Sequence, residues 1–333
     1  MKVIFLGNGF EYSLHFMAAL AGMKGVELVA IVSPVSGERR SEWRRIASSL
    51  AARLPSVVRR KLPGGDEALF PSRAVQIAHR AGARLMWPDT INDGALVDEL
   101  FNLEADVVVM AGFNEILKPE IINGLPPVIN IHPSLLPQFR GPHPEFWIIA
   151  EGAQESGVTL HLVDKGIDTG PILAQRRFAV EPWLTGGALQ QRAMTIGADL
   201  LAATLDDLDL ARAPRWPQQG PSSYFPKVDL ADIMVPFNLP ASLAYARARA
   251  ASPWIPLNLY VPTDWWIRPA GASSAASQSA AHGLCRLNLA RATPFPDHHL
   301  GPPGTVVRSE DGGMAVACNP GALHFAEATS ASP

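Results

Sequence analysis

Three polar side chains lie where predicted strands end in the middle of the chain. Asn130 and His132 are two residues apart at the end of an apolar run, so in a strand their side chains project from the same face. Pro133 keeps His132 extended, because the residue before a proline avoids helical backbone angles. Asp168 lies in the loop after a second predicted strand, Gly157–Val163. An amide, an imidazole and a carboxylate can converge here on one cleft, where they could donate hydrogen bonds and move protons.

Each of these residues taken alone has an ordinary structural explanation. Asn130, for example, could cap a backbone turn. A metal-dependent hydrolase could also be built from four side chains, which are His132, His143, His161 and Asp168. However, His132 and His161 fall on different strands without a recognisable metal-ligand spacing, so we expect no metal.

Short apolar runs alternate with amphipathic segments over the first 180 residues, which is the pattern of strands separated by helices. The runs are Val3–Leu6, Val26–Val32, Val107–Ala111 and Val128–His132. They are continuously apolar, as expected for strands covered by helices on both faces. We therefore predict an α/β fold with a doubly wound, mostly parallel, Rossmann-like sheet, whose ligand cleft lies at the carboxyl ends of the strands.

The chain divides into two predicted domains joined by a linker. Residues 1–205 hold the strand–helix alternation and form the predicted catalytic domain. Residues 206–226 include several prolines and are expected to be a linker. Residues 227–333 contain shorter strand-like runs, with the turn signal Asp311–Gly313 between two of them. We predict a small, β-rich, barrel-like domain there.

A basic segment interrupts the first domain at residues 36–71. Eight Arg and Lys residues lie against two Glu between Glu38 and Lys61, although the net charge of the whole chain is −3. The apolar residues of this segment fall on one helical face. It is therefore either a solvated surface helix or a loop that binds the acceptor, and its charge could meet an anionic partner.

The composition excludes several classes of protein. Of 333 residues, 47% are hydrophobic and 18% charged, which is too apolar for a disordered chain. Two cysteines, Cys285 and Cys318, are too few for a disulfide scaffold and fit a reducing compartment. No apolar stretch approaches the ~18 residues of a membrane span, and Gly7 ends the first apolar run too early for a signal peptide. We expect a soluble, cytoplasmic protein with no membrane partner.

The candidate residues lie within longer stretches of a specific order. These stretches are Asn130-Ile131-His132-Pro133-Ser134-Leu135-Leu136-Pro137, Arg140-Gly141, Gly157-Val158-Thr159-Leu160-His161 and Asp168-Thr169-Gly170-Pro171-Ile172. In this order and at these spacings they resemble the folate-dependent formyltransferase family. The resemblance covers roughly residues 1–205. A weaker similarity continues to Pro303-Gly304-Thr305-Val306, which looks like the start of the β-barrel motif of methionyl-tRNA formyltransferases.

This resemblance implies an enzyme that moves a formyl group from 10-formyltetrahydrofolate to an amine through a tetrahedral intermediate, without a metal. Asn130, His132 and Asp168 match the catalytic Asn–His–Asp set of the family. Asn130 would donate to the oxyanion, His132 would donate to it or shuttle a proton, and Asp168 would orient the imidazole and stabilise its cation. The sequence leaves open which group moves which proton.

The resemblance also implies two sets of binding residues. Those expected near the folate are Met110, Glu115, Ile116, Leu117, Val163, Asp164, Lys165 and Gly166, mainly through their backbone groups. Those expected near the acceptor are Gly9, Phe10, Glu11, Tyr12, Arg140 and His161. The bulky side chains at positions 10–12 argue against both a dinucleotide site and the phosphate loop of glycinamide ribonucleotide transformylase.

The acceptor predicted from the sequence is a small amine, such as a nucleotide-linked amino sugar or a hydroxyornithine-type precursor. After Arg140-Gly141 the chain continues with Pro142–Trp147, where tRNA enzymes usually have small residues. Methionyl-tRNA is the alternative, because the basic insertion sits where tRNA enzymes have a tRNA-contacting loop. A formyltetrahydrofolate hydrolase is less favoured, since its family places a regulatory domain before the core. The second domain could clasp the acceptor or pair two subunits into a homodimer.

Overall fold

The computed structural model describes residues 1–34, 72–206, 213, 215–229, 232, 239–254, 258–262, 284–288, 292–295, 297, 300, 302–308, 314–325 and 329–330. The helices of this part are α1 (Glu11–Gly22), α2 (Ser72–Ala81), α3 (Gly94–Phe101), α4 (Pro119–Gly124), α5 (Pro144–Ala150), α6 (Gly186–Asp206) and α7 (Ala241–Ala250). The strands of the first 200 residues are β1 (Lys2–Gly7), β2 (Glu27–Val32), β3 (Arg84–Met86), β4 (Val107–Ala111), β5 (Val128–His132), β6 (Glu155–Leu162) and β7 (Ile172–Ala179). The later strands are β8 (Asn258–Pro262), β9 (Leu284–Asn288), β10 (Thr293–Phe295), β11 (Val306–Arg308), β12 (Met314–Ala317), β13 (Ala322–Phe325) and β14 (Thr329–Ser330). The basic insertion predicted at residues 36–71 lies outside the described residues.

Seven strands form the central sheet, in the order β3-β2-β1-β4-β5-β6-β7. The pairs β1–β2, β2–β3, β1–β4 and β4–β5 are parallel, and β5–β6 is antiparallel. The predicted Rossmann-like, mostly parallel sheet is confirmed. The strand order reverses between β1 and β4, so the ligand crevice of such a sheet is expected at the carboxyl ends of these two strands.

Apolar strands and helices on both faces account for this sheet. Val3, Ile4, Phe5 and Leu6 of β1 are completely buried, which explains why the run is continuous rather than alternating. On one face, β1, β2 and β4 pack against apolar residues of α3 and α4. On the other face α1 and α6 approach closely, because a Cβ at Gly197 would lie 2.9 Å from the Phe16 ring.

The C-terminal region contains small antiparallel sheets, as predicted. Strands β10-β13-β12-β11 form one sheet and β14-β9-β8 another. Strands β11 and β12 are consecutive and pair antiparallel, as in a hairpin. The turn predicted at Asp311–Gly313 between them lies outside the described residues. Ala241, Ala244 and Ala248 of α7 pack against an apolar cluster that includes Val316 and Leu323.

Two compact units divide the chain differently from the predicted domain limits. One comprises Met1–Arg140, Gly157–Arg177 and Gln191–Ser223, and the other comprises Gly141–Ser156, Phe178–Gln190 and Tyr224–Pro333. Most of the described part of the predicted linker therefore belongs to the first unit. Among the described residues, no helix is long and apolar enough to cross a membrane.

Candidate active site

Strand β5 brings Asn130 and His132 to one side of the sheet. Both are buried, with 8% and 4% of their surface exposed. Because β6 runs antiparallel to β5, Asn130 is directly opposite His161 in the register. Directly opposite residues point to the same face and lie close enough for their side chains to interact. The antiparallel pair therefore adds a second imidazole beside the predicted amide.

The amide of Asn130 donates to two acceptors. Its Nδ2 lies 3.1 Å from His161 Nε2 and 3.2 Å from Asp168 Oδ1. A carboxylate only accepts hydrogen bonds, so the nitrogen of the amide must be the atom that faces it. Asn130 is thus oriented as a hydrogen-bond donor in the middle of the cluster.

His161 has a defined tautomer in this arrangement. Its Nδ1 lies 2.9 Å from the carbonyl oxygen of Leu162, which can only accept, so Nδ1 carries the hydrogen. Neutral His161 then accepts at Nε2 from Asn130. We predicted His161 as an acceptor-binding residue; in the structure it is 2% exposed and its Nε2 contacts the Asn130 amide. The acceptor-binding role of His161 stays a prediction.

His132 lies between a backbone carbonyl and the carboxylate of Asp168. Its Nε2 is 2.8 Å from the carbonyl oxygen of Phe139, so Nε2 carries a hydrogen. Its Nδ1 is 3.7 Å from Asp168 Oδ2, which is an ion-pair distance rather than a hydrogen bond. When His132 is protonated, both of its N–H groups face an oxygen. The ring of His132 is therefore held between two oxygens, those of Phe139 and Asp168.

The loop after β6 folds back to bring Asp168 to β5. Asp164 Oδ1 accepts from the backbone N–H of Gly166 at 3.0 Å and from Thr169 Oγ1 at 2.6 Å, which closes the loop on itself. Asp168 has φ 52°, in the left-handed region. Asp adopts this conformation more readily than most residues, although at a cost of roughly 1–3 kcal/mol. This backbone turn places the carboxylate beside Asn130, His132 and His161.

The loop after β5 is anchored in the same region. Thr159 of β6 donates to the carbonyl of Ser134 at 2.7 Å and accepts from the N–H of Leu136 at 3.2 Å. Ser134 Oγ in turn donates to the carbonyl of Gln138 at 2.7 Å. The loop ends at Phe139, which has φ 56° and presents its carbonyl to His132. The imidazole is therefore held by a rigid turn.

A segment that the sequence suggested was a linker contacts both loops. We call residues 216–223 the strap. Gln218 Nε2 donates to the carbonyls of Asp168 and Gly170, both at 2.8 Å. Gln218 Oε1 accepts from Arg140 Nη2 at 2.7 Å. Ser223 Oγ accepts from the N–H of Phe139 at 2.8 Å. No motif in the sequence points to Gln218 or Ser223, because their partners are mostly backbone groups.

The family-model comparison matches residues 1–205 to "Formyl transferase". The chain belongs to this family. The folate-dependent formyltransferase family expected from the motifs is thereby confirmed, and the match has the same limits as the predicted catalytic domain.

Relatives among curated sequences include methionyl-tRNA formyltransferases. The protein of Roseiflexus sp. is 39% identical over 194 residues, which are 57% of this chain and 59% of that protein. The protein of Roseiflexus castenholzii is 34% identical over 251 residues, which are 74% of this chain and 73% of that protein. The matched region thus spans between about three fifths and three quarters of these relatives.

The solved structures include a formyltransferase of similar fold over the full chain. The sugar 3N-formyl transferase WlaRD, determined in the presence of dTDP and 5-N-formyl-THF, has a TM-score of 0.60 and 15% sequence identity. The similarity covers 100% of this chain and 98% of that chain. At this level of identity the likeness supports the fold.

In this member of the family, the segment predicted to hold the folate follows β4. Glu115 accepts from Thr90 Oγ1 at 2.7 Å and from the N–H of Ile91 at 3.1 Å, so its carboxylate ties two loops together. Leu117 is a core residue, 4% exposed, whereas Ile116 is 66% exposed. Of these three side chains, that of Ile116 is exposed, that of Glu115 is partly buried and that of Leu117 is buried.

The remaining residues predicted near the folate differ in exposure and in their contacts within the fold. Met110 is half-buried and packs against the apolar core, as does Val163. Val163 also donates its N–H to the carbonyl of Val128 at 2.8 Å, which extends the sheet. Lys165 is exposed, while Asp164 and Gly166 close the loop described above.

The turn between β1 and α1 separates the residues predicted near the acceptor. Phe10 is 59% exposed and Glu11 is exposed, but Tyr12 is buried and donates from its hydroxyl to the carbonyl of Ile131 at 3.3 Å. Tyr12 therefore supports β5 from inside the fold, and its contact with the acceptor stays a prediction. Gly9 has φ 75°, a conformation that favours glycine. Arg140, described above, is bonded to the strap.

Two asparagines missed by sequence reasoning mark the crevice of the sheet. Asn8 follows β1, Asn114 follows β4, and Asn8 Nδ2 donates to Asn114 Oδ1 at 3.3 Å. These two strands are the pair at which the strand order reverses. Within the described residues, no group of three or more His, Cys, Asp or Glu side chains could hold a metal ion.

Proposed function

We propose that this chain transfers the formyl group of 10-formyltetrahydrofolate to an amine. The observation that carries the proposal is the cluster of Asn130, His132, His161 and Asp168, in a member of the formyltransferase family. It combines a donor for a developing oxyanion with an imidazole and a carboxylate, which are the groups that attack on a formyl carbon requires.

The folate supplies the formyl carbon, and its N10 leaves with the proton that the attacking amine must lose. Asn130 donates to the formyl oxygen as that atom gains negative charge. Its two existing bonds, at 3.1 and 3.2 Å, are longer than the common 2.9–3.0 Å. Because a charged oxygen is the stronger acceptor, it can take one of these hydrogens from its present partner. A donor of this kind typically contributes about 10²–10³ in rate.

His132 is the residue best placed to carry a proton between the two nitrogens. Because its Nε2 already donates to the Phe139 carbonyl, the proton in transit would be held at Nδ1, which faces the Asp168 carboxylate. Its Nε2 is fixed by the Phe139 carbonyl, so the ring does not rotate between the two steps. Positioned acid–base catalysis of this kind contributes roughly 10²–10⁴.

The crevice between β1 and β4 is the place where the folate would bind. Its walls are the turn at Gly9 and the segment after β4, where Gly112 has φ 59°. Backbone groups of these turns, and of residues 163–166, would hold the pterin by hydrogen bonds. Substrates of open α/β sheets bind at this topological position.

For the acceptor, we propose methionyl-tRNA. The relatives at 34% and 39% identity are named methionyl-tRNA formyltransferases. The bulky stretch that pointed to a small amine has a packing role in its own unit. Phe146 and Trp147 of α5 are buried, and the Trp147 ring stacks on Phe225.

A small amine is the second candidate, because residues 142–147 still depart from the small-residue stretch of tRNA enzymes. In a parallel assay, tetrahydrofolate release from 10-formyltetrahydrofolate would be followed with methionyl-tRNA, nucleotide-linked amino sugars and hydroxyornithine. Release with methionyl-tRNA alone supports the first acceptor, and release with a small amine alone replaces it with the second. Release without any amine indicates the hydrolase, and no release in any mixture contradicts formyl transfer itself.

A homodimer remains a prediction. Light scattering on the purified full chain would give the mass directly. A mass of about 36 kDa, the 35.8 kDa of one chain, would contradict the dimer.

A further inference from the structure

We propose that Gln218 and Ser223 of the strap are positioning residues for the catalytic cluster. This inference rests on the proposed function, since it explains how the formyl-transfer site is held. Neither side chain needs to touch a substrate. Each holds the backbone of a loop that contacts a catalytic group. The Gln218 loop contacts the Asn130 amide through the Asp168 carboxylate, and the Ser223 loop contacts the His132 imidazole through the Phe139 carbonyl.

Gln218 acts on the loop that carries Asp168. Its two Nε2 hydrogens go to the carbonyls of Asp168 and Gly170, which lie on either side of Thr169. The carboxylate of the same Asp168 accepts from Asn130 and faces His132. A change in the backbone of Asp168 would therefore move the carboxylate relative to both catalytic partners.

Ser223 acts on the loop that ends beside His132. Its Oγ accepts from the N–H of Phe139, and the carbonyl of Phe139 accepts from His132 Nε2. Ser223 also accepts at its own carbonyl from the N–H of Arg140 at 3.0 Å and donates its N–H to Pro137 at 3.2 Å. The Phe139 carbonyl, which fixes the tautomer of His132, is thus held through the N–H of its own peptide group, that of Arg140, and through the N–H of the preceding one, that of Phe139.

Backbone strain shows why such tethers are needed. Asp168 and Phe139 both have left-handed backbone angles, with φ 52° and φ 56°. Non-glycine residues persist in this region only where the surrounding structure holds them, and such residues concentrate at functional sites. A bulky residue such as Phe is unusual there. The strap bonds to both of these residues, through Gln218 and Ser223.

The strap is itself anchored, so it can transmit this constraint. Trp216 forms a two-way bridge with Ile172, with N–H to carbonyl distances of 2.8 and 2.9 Å. Arg140 Nε and Nη2 both donate to Gln218 Oε1, at 3.2 and 2.7 Å, which fixes the direction of the amide. Because Oε1 faces Arg140, Nε2 must face the carbonyls of the Asp168 loop.

Matched variants test the proposal within the full chain. Gln218→Met keeps the length of the side chain but removes every hydrogen bond. Gln218→Glu keeps an oxygen for Arg140 but places a second oxygen against the carbonyls of Asp168 and Gly170. Gln219→Ala is the control, because Gln219 is the exposed neighbour of Gln218. Ser223→Ala is paired in the same way with Ser222→Ala, since Ser222 is exposed.

We expect both Gln218 variants to lower kcat by about tenfold to a hundredfold, with the KM for 10-formyltetrahydrofolate little changed, because misplaced catalytic groups slow chemistry more than binding. Ser223→Ala removes one hydrogen bond and should lower kcat by up to about tenfold. The controls should match the wild type. A wild-type kcat in Gln218→Met overturns the proposal. A wild-type kcat in Gln218→Glu together with a low kcat in Gln218→Met also overturns it, because the loss would then come from the contact with Arg140. The proposal is also overturned if the loss of kcat is fully explained by a smaller folded fraction, as measured by thermal unfolding.

A second readout does not depend on turnover. In ¹⁵N-histidine-labelled protein, the ring nitrogens of His132 should report the Nε2–H tautomer, with assignment by a His132→Gln variant. Gln218→Met and Ser223→Ala should shift these signals, whereas Gln219→Ala and Ser222→Ala should not. Unchanged signals in both strap variants contradict the inference. If the wild type transfers no formyl group to any amine, the proposed function fails, and these spectra still decide whether the strap positions His132.

Discussion

Replacing Asp168 by Asn tests the electrostatic basis of the cluster with little change in shape. Asn has nearly the same size and also tolerates the left-handed backbone angle of this position, φ 52°. Its oxygen can still accept from Asn130, as Asp168 Oδ1 does at 3.2 Å. The charge facing His132 is lost, and the amide nitrogen that replaces Oδ2 repels a protonated imidazole.

The expected size of the effect follows from the distance between the two charges. His132 Nδ1 and Asp168 Oδ2 are 3.7 Å apart, and their side chains are only 6% and 13% exposed. At an effective dielectric constant of about 20, two unit charges at this distance interact by about 4 kcal/mol. If the imidazolium forms during transfer, the loss of this interaction should lower the rate about a thousandfold. Partial charge in the transition state reduces this to about a hundredfold.

Single-turnover formyl transfer at saturating 10-formyltetrahydrofolate is the appropriate assay, since it isolates the chemical step. Thermal unfolding of Asp168→Asn should lie close to that of the wild type, which separates lost charge from lost structure. Folate affinity should also be retained. A folded Asp168→Asn variant that transfers formyl groups within about threefold of the wild-type rate would refute the role assigned to the carboxylate.

Three further predictions concern the packing around the site and the second unit. A Cβ at Gly170 would lie 1.8 Å from the carbonyl oxygen of Leu162, so Gly170→Ala should lower both kcat and the free energy of unfolding measured in urea, the latter by about 1–3 kcal/mol. The hydrogen bond to Glu145 raises the pKa of His143 above 6.5, so this pair stabilises the fold below pH 6.5 and loses its effect as pH rises through the raised value. The unfolding free-energy difference between the wild type and Glu145→Gln should therefore shrink from about pH 6 to about pH 8, and a constant difference would contradict it. Burial raises the pKa of the Cys318 thiol to about 11, so iodoacetamide at about pH 8 should modify Cys318 only after unfolding, as read by peptide mass spectrometry.

The sequence predicts the central sheet well because its signals are local. Apolar runs identified β4 at Val107–Ala111 and β5 at Val128–His132 with the observed bounds. The pairing of the strands is not a local signal, because the direction of β6 depends on contacts between segments that are distant in the sequence. Gly157–Val163 is apolar whether it pairs parallel or antiparallel, so its antiparallel register with β5 was not foreseen. That register is what places His161 opposite Asn130.

The candidate site was predictable where function depends on residue type. The order of Asn130, His132 and Asp168 is a specific motif, and the structure brings the three side chains together. Tyr12 and Glu115 were predicted to bind substrates because of their position in the chain, yet their polar atoms are used inside the fold. Position along a motif indicates which loop a residue occupies, but it does not show which way the side chain points.

Gln218 and Ser223 show the opposite limit, because most of their partners are backbone atoms. A proline-rich segment predicts a linker, and nothing in its composition distinguishes a free connection from one that is bonded to a catalytic loop. The left-handed angles of Phe139 and Asp168 are the physical reason for the difference. Two unfavourable backbone conformations adjoin the cluster, and each is held by a side chain of the same short segment. The geometry of the catalytic groups is therefore determined by the backbone of two loops, and substitutions in the strap should alter rate before they alter stability.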